Sequence, residues 1–195
     1  MARRRSPEHT GTMTDAGPDR LPNSDANSGA NVDEADAADL GTHLEPLMQG
    51  LRRGEVLMAM LLLVQYLVGI VVNLFVTIPD QHPGAKATEY FGGVMAAVAW
   101  AMGNGGMWLA IHTGIGLLLV VASIGLVVQS IRARSNITLC VLGAVFILGA
   151  GFNGGSFLVY NEDFSSMIMA GLWALAMACY VGCIYLSAPR RALEP

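Results

Sequence analysis

The stretch Val56–Ile78, VLMAMLLLVQYLVGIVVNLFVTI, decides the fold class: 23 residues without a charge, bounded by Glu55 and by Pro79-Asp80. A bilayer's hydrocarbon core is about 30 Å thick and a helix rises about 1.5 Å per residue, so about 20 apolar residues make one crossing. Three further runs meet that length, at about 106–131, 137–160 and 167–186. Lipid cannot satisfy an unpaired backbone group, so such runs form helices. The alternating ten-residue segments of a transmembrane barrel are absent. The expectation is an all-α polytopic membrane protein, with four transmembrane helices in one bundle over residues 55–186 and a disordered N-terminal tail.

Composition points the same way. Charged residues make up 13% of the 195, about half the ~25% usual in soluble domains. Residues 1–53 carry nine of the 15 acids and six of the 11 bases, so the remaining 142 residues share six acids and five bases. An ordinary soluble enzyme is excluded. So is a nucleic-acid partner, which would need a basic surface patch. No GxSxG, P-loop, HExxH or CxxC is present, and the loops are too short for a catalytic domain, so no catalytic residue is assigned.

The loops set an orientation. Arg52 and Arg53 precede the first span, Arg132 and Arg134 separate the second and third, and Arg190 and Arg191 follow the fourth. The opposite side has Lys86 beside Asp80, Glu89, Glu162 and Asp163. Six bases against one place both termini in the cytoplasm of a bacterial plasma membrane by the positive-inside rule.

Residues 1–43 read as a disordered cytoplasmic tail, rich in Asp, Ala, Asn, Gly and Ser and too polar to bury a core. Arg3, Arg4 and Arg5 resemble the start of a signal peptide, but no apolar segment follows before Leu40, and Met13 is a second candidate start. Leu44, Leu47, Met48 and Leu51 recur at helical spacing, so 44–54 reads as an interfacial amphipathic segment or an extension of the first span. Residues 187–195 form a short cytoplasmic tail. Between the first two spans, His82-Pro83-Gly84 reads as a turn, and 90–102 as an interfacial or re-entrant helix with Tyr90 and Trp100 at headgroup level.

In lipid, small residues mark the faces where helices approach closely. The fourth span carries Ala170, Ala174, Ala178 and Gly182, the second Gly106, Ala110 and Gly114, and the third Gly151 and Gly155 with Gly143 further in. These are assigned to helix packing, within the chain or against a partner. A short repeat, Gly69-x-x-x-Asn73 and Gly149-x-x-x-Asn153, is compatible with chance.

Polar groups inside a bilayer are costly and are candidate sites. Asn73, His112 and Asn153 each lie five to seven residues from the outer end of a span, at a depth of roughly 7–10 Å, and form a polar layer in the outer half of the bundle. Gln65 sits deeper. For His112 the leading reading is a hydrogen bond to Asn73 or Asn153 that fixes helix register. The alternatives are an axial ligand to haem b, with Met107, Met167 or Met169 opposite, and a proton-linked switch. Paired histidines are the usual haem pattern and no second intramembrane His exists, so no cofactor is expected. Cys140, Cys179 and Cys183 cluster near the cytoplasmic ends of the third and fourth spans. They read as buried small hydrophobes because the trio lacks a fourth metal ligand, and no metal site is assigned.

The segments Val72-Asn73-Leu74-Phe75, His82-Pro83-Gly84, Tyr90-Phe91 and Ile111-His112-Thr113-Gly114 resemble a type of small four-helix membrane protein of high-GC actinobacteria. The resemblance covers about residues 55–186 and implies a fold without a chemistry. The function expected is a non-catalytic accessory or scaffold subunit of a membrane complex, in contact with lipid and with a membrane-protein partner or its own copies. A haem-b electron carrier is the alternative. Transport by a homo-oligomer is a distant third, because no span has a carboxylate at its centre.

Overall fold

The computed structural model describes residues 25–187, with side chains for 45–187 apart from Asp163. It is all-helical among the described residues: α1 (Asp25–Phe75), α2 (Tyr90–Asn104), α3 (Gly106–Ala133), α4 (Ile137–Tyr160) and α5 (Asp163–Leu186). Four segments, Glu45–Phe75, Gly106–Ala133, Ile137–Tyr160 and Phe164–Leu186, are long and apolar enough to cross a membrane. The chain divides into two units between Gly41 and Thr42, and the bundle belongs wholly to the second.

The helix boundaries differ from the expected spans in places with a local cause. The first helix ends at Phe75, three residues short of Ile78, and Val76 N–H closes its last turn on Val72 O at 3.0 Å. The last begins at Asp163, four residues ahead of the apolar run, with Glu162 as its N-cap. At the other end, α1 reaches back to Asp25 through a stretch expected to stay unfolded, where alanines favour helix. Residues 1–24 and 188–195 lie outside the described residues. Residues 45–54 continue α1 without a break in place of a separate surface helix, because Leu51 is buried in the bundle core.

Leu51, Glu55, Met58 and Leu62 form the buried stripe of α1, at the four-three-four spacing that returns side chains to one helix face. They meet Leu119, Leu126 and Ala133 of α3, Cys140 and Ile147 of α4, and Ala176, Tyr180 and Cys183 of α5 in the main core. Trp173 Nε1 donates to Leu62 O at 2.8 Å and its ring stacks on Tyr66 at 4.4 Å, which ties α5 to α1. The fit of α5 on α4 depends on Gly143, where a Cβ would lie 2.8 Å from Cζ of the fully buried Tyr180 ring.

The small residues divide unevenly. Gly155 is buried beneath Val94 of α2, with a Cβ position only 2.7 Å from Val94 Cγ1. Gly182 meets Leu139 and Gly114 meets Met102 at ordinary contact distance, and Ala110 is half-buried. Gly106 and Gly151 face open space. Ala170, Ala174 and Ala178 are exposed, so among the described residues the α5 stripe packs within the chain only at Gly182. The physical reason is area: α5 turns inward the face that carries Tyr180, Ala176, Cys179 and Cys183, and burying a Tyr removes far more apolar surface than burying an Ala.

A second, smaller core joins α2 to the far halves of its neighbours: Ala97 and Ala101 with Leu109, Leu158, Val159, Val72 and Ile78. Glu89 caps α2 by accepting from Phe91 N–H at 3.0 Å and from Gly92 N–H. The Tyr90 hydroxyl hydrogen-bonds with Ser156 Oγ (2.8 Å) and donates to Phe152 O (3.2 Å) of α4, and Trp100 stacks on His82 at 4.4 Å. The helix therefore packs along α3 and α4. We call this the loop end of the bundle, and the end bearing Arg52, Arg53, Arg132 and Arg134 the arginine end.

Candidate functional site

The three residues expected to form an outer polar layer have separate partners. Asn73, exposed near the end of α1, accepts from Ser166 Oγ at 3.3 Å. Asn153 Nδ2 donates at 3.3 Å to Gly149 O, one turn back on its own helix. His112 meets Gln65, whose Nε2 donates to His112 O at 3.1 Å and lies 3.4 Å from the ring Nε2. If that ring nitrogen accepts, the proton resides on Nδ1, which is buried without a hydrogen-bond partner among the described residues, as is Gln65 Oε1. The imidazole packs onto Gly69, where a Cβ would lie 3.1 Å from Cε1. So among the described residues no hydrogen bond joins Asn73, His112 and Asn153, and the residue that hydrogen-bonds His112 is Gln65.

A denser polar cluster lies at the arginine end. Glu55 of α1 is fully buried, as are Cys140 of α4 and Cys183 of α5. Asn136 Nδ2 donates to Glu55 Oε1 at 2.9 Å, and Ser187 Oγ donates to Glu55 Oε2 at 3.2 Å. The same amide nitrogen reaches Cys183 O at 3.2 Å and Ser187 Oγ at 2.6 Å. Cys140 Sγ and Cys183 Sγ are 3.9 Å apart. One carboxylate oxygen and the two sulfurs all lie within 4.8 Å of one another. Cys179, four residues before Cys183, is buried outside this trio.

Local structure explains the convergence. Asn136 is the N-cap of α4 and adopts a left-handed conformation (φ 54°), which asparagine tolerates better than most residues. Its side chain makes no cap bond to its own helix and so is free to reach Glu55. Cys140 sits one turn into α4. Cys183 occupies the last turn of α5, and Ser187 is its C-cap. Each helix thus presents a pair four residues apart on one face, Leu51/Glu55, Asn136/Cys140 and Cys183/Ser187.

A charge buried in apolar surroundings is strongly disfavoured unless hydrogen-bonded or neutralised, and a buried carboxylate in a membrane bundle marks a site. Counting the first span from Val56 placed Glu55 at the boundary and missed it. The signal that finds it is its place in the stripe Leu51-Glu55-Met58-Leu62. The cysteines looked one ligand short because Glu55 was not counted among their neighbours. No protein-family model, curated protein or solved structure matches the chain.

Proposed function

We propose that the protein is a non-catalytic subunit of a larger assembly in a bacterial plasma membrane, with the arginine end in the cytoplasm. The observation that carries this reading is the exposed face of Ala170, Ala174 and Ala178 on α5. Small residues at four-residue spacing let a second helix approach its backbone closely, and among the described residues these three stay exposed. The sorting of arginines to one end supports the orientation. Isolation of the tagged protein from its native membrane in mild detergent tests the reading. Recovery with a stoichiometric membrane-protein partner is expected. Recovery solely as a monomer would overturn it. Haem b on His112 is the alternative, and a Soret band that vanishes in His112→Ala would favour it. The packing of the ring on Gly69 and Gln65 lends that alternative nothing further.

A further inference from the structure

Glu55, Cys140 and Cys183 come from three different helices and converge at the arginine end with every side chain fully buried. Two sulfurs and a carboxylate are the donor set of a thiophilic ion, and two thiolates discriminate against Mg2+ and Ca2+, which prefer all-oxygen sites. Spacing favours the same class. A tetrahedral ion with bonds to sulfur of about 2.3 Å holds two ligating sulfurs about 3.8 Å apart. The sulfurs of Cys140 and Cys183 are 3.9 Å apart. A disulfide would require about 2.05 Å. The carboxylate oxygen is within 4.8 Å of both, so it completes a three-ligand face with a small inward movement.

The surroundings supply what a ligating carboxylate needs. Asn136 Nδ2 and Ser187 Oγ each donate to one oxygen of Glu55, which fixes its rotation while leaving a lone pair on each oxygen for an ion. Asn136 and Ser187, which hold the carboxylate, are half-buried, whereas the three donors themselves are fully buried. Three protein ligands leave a fourth position for water, the arrangement of an open zinc site rather than of a closed structural one.

We propose that Glu55, Cys140 and Cys183 bind one thiophilic divalent cation, of which Zn2+ fits the donor set best, at the arginine end of the bundle. The site and the exposed alanine face of α5 lie on opposite sides of that helix, so metal binding and partner association can be lost independently.

The test uses the full chain purified in detergent with its thiols reduced, stripped with a chelator and titrated with Co2+ and then Zn2+. We expect one equivalent of Co2+ with a thiolate-to-cobalt charge-transfer band and the intense visible absorption of tetrahedral Co2+, both abolished by Zn2+. Cys140→Ser and Cys183→Ser each weaken the charge-transfer band, and the double variant removes it. Cys179→Ser keeps it, and Glu55→Gln weakens Co2+ binding at least about tenfold. A wild-type chain that binds no Co2+, or a band that survives in the Cys140→Ser/Cys183→Ser double variant, would overturn the proposal. Should a serine variant fail to fold, wild-type alkylation decides: Zn2+ must protect Cys140 and Cys183 from a maleimide and leave the labelling of Cys179 unchanged, and equal labelling of all three with and without Zn2+ rejects the site.

Discussion

Two single residues allow opposite tests of the same chemical change. A methyl group added at Gly143 enters the Tyr180 ring, whereas one added at Gly151 meets nothing within 4 Å. Gly143→Ala should therefore cost about 1–3 kcal/mol, the usual penalty for overfilling a packed contact. Gly151→Ala should be neutral or gain up to about 1 kcal/mol through better helix propensity. Reversible unfolding in mixed micelles measures both, and equal effects would contradict the close approach of α5 to α4. Asn136 gives a second comparison. Asn136→Gly keeps the left-handed backbone and loses the amide, at about 0.6–2 kcal/mol for each bond lost. Asn136→Ala loses the same bonds and adds about 1–2 kcal/mol of backbone strain. Finding Ala no worse than Gly in the same unfolding assay would refute the strain argument. Sequence spacing located Gly143 as a small residue but not its partner, because the choice of Tyr180 depends on which face α5 turns inward.

At the scale of elements, α2 is the piece with the most to test. Its seat on α4 has Val94 against Gly155 and Tyr90 against Ser156. Gly155→Ala alone should loosen α2 by about 1–3 kcal/mol. Adding Val94→Ala should restore much of that loss, with a coupling of at least about 0.5 kcal/mol in the double-mutant cycle. Protease accessibility of the 79–89 loop and thermal unfolding both read the effect, and strictly additive losses would place the two residues apart. The four long helices were legible in the sequence because twenty-residue apolar runs have no other stable form in lipid. The existence of α2 was legible for a related reason, an apolar run too short to cross. Its attachment was not, since the groups that hold it are a tyrosine hydroxyl, a glycine and a backbone N–H (Lys86 to Val159 O, 2.9 Å), none with a periodic signature.

At the scale of the whole molecule, the bundle has a buried polar centre toward one end and, among the described residues, an exposed smooth face along one side. The second can be altered without the first. Ala174→Leu projects from the exposed face of α5, so we expect stability within about 0.5 kcal/mol of wild type and a clear fall in recovery of the proposed partner in mild detergent. Unchanged recovery would remove that face from the interface. Apolar length and the sorting of arginines were readable residue by residue. The convergence of Glu55, Asn136, Cys140, Cys183 and Ser187 was not, because it joins positions up to 132 residues apart and depends on the order of helices around the core.

That separation bears on how the protein is made. Glu55 belongs to the first segment that enters the membrane, while Ser187 caps the last helix. Until α5 has emerged and docked, the carboxylate lacks the hydroxyl that completes its hydrogen bonding. A chain stopped before α5 therefore has Asn136 as the one side chain left of the two that hydrogen-bond Glu55 in the described structure.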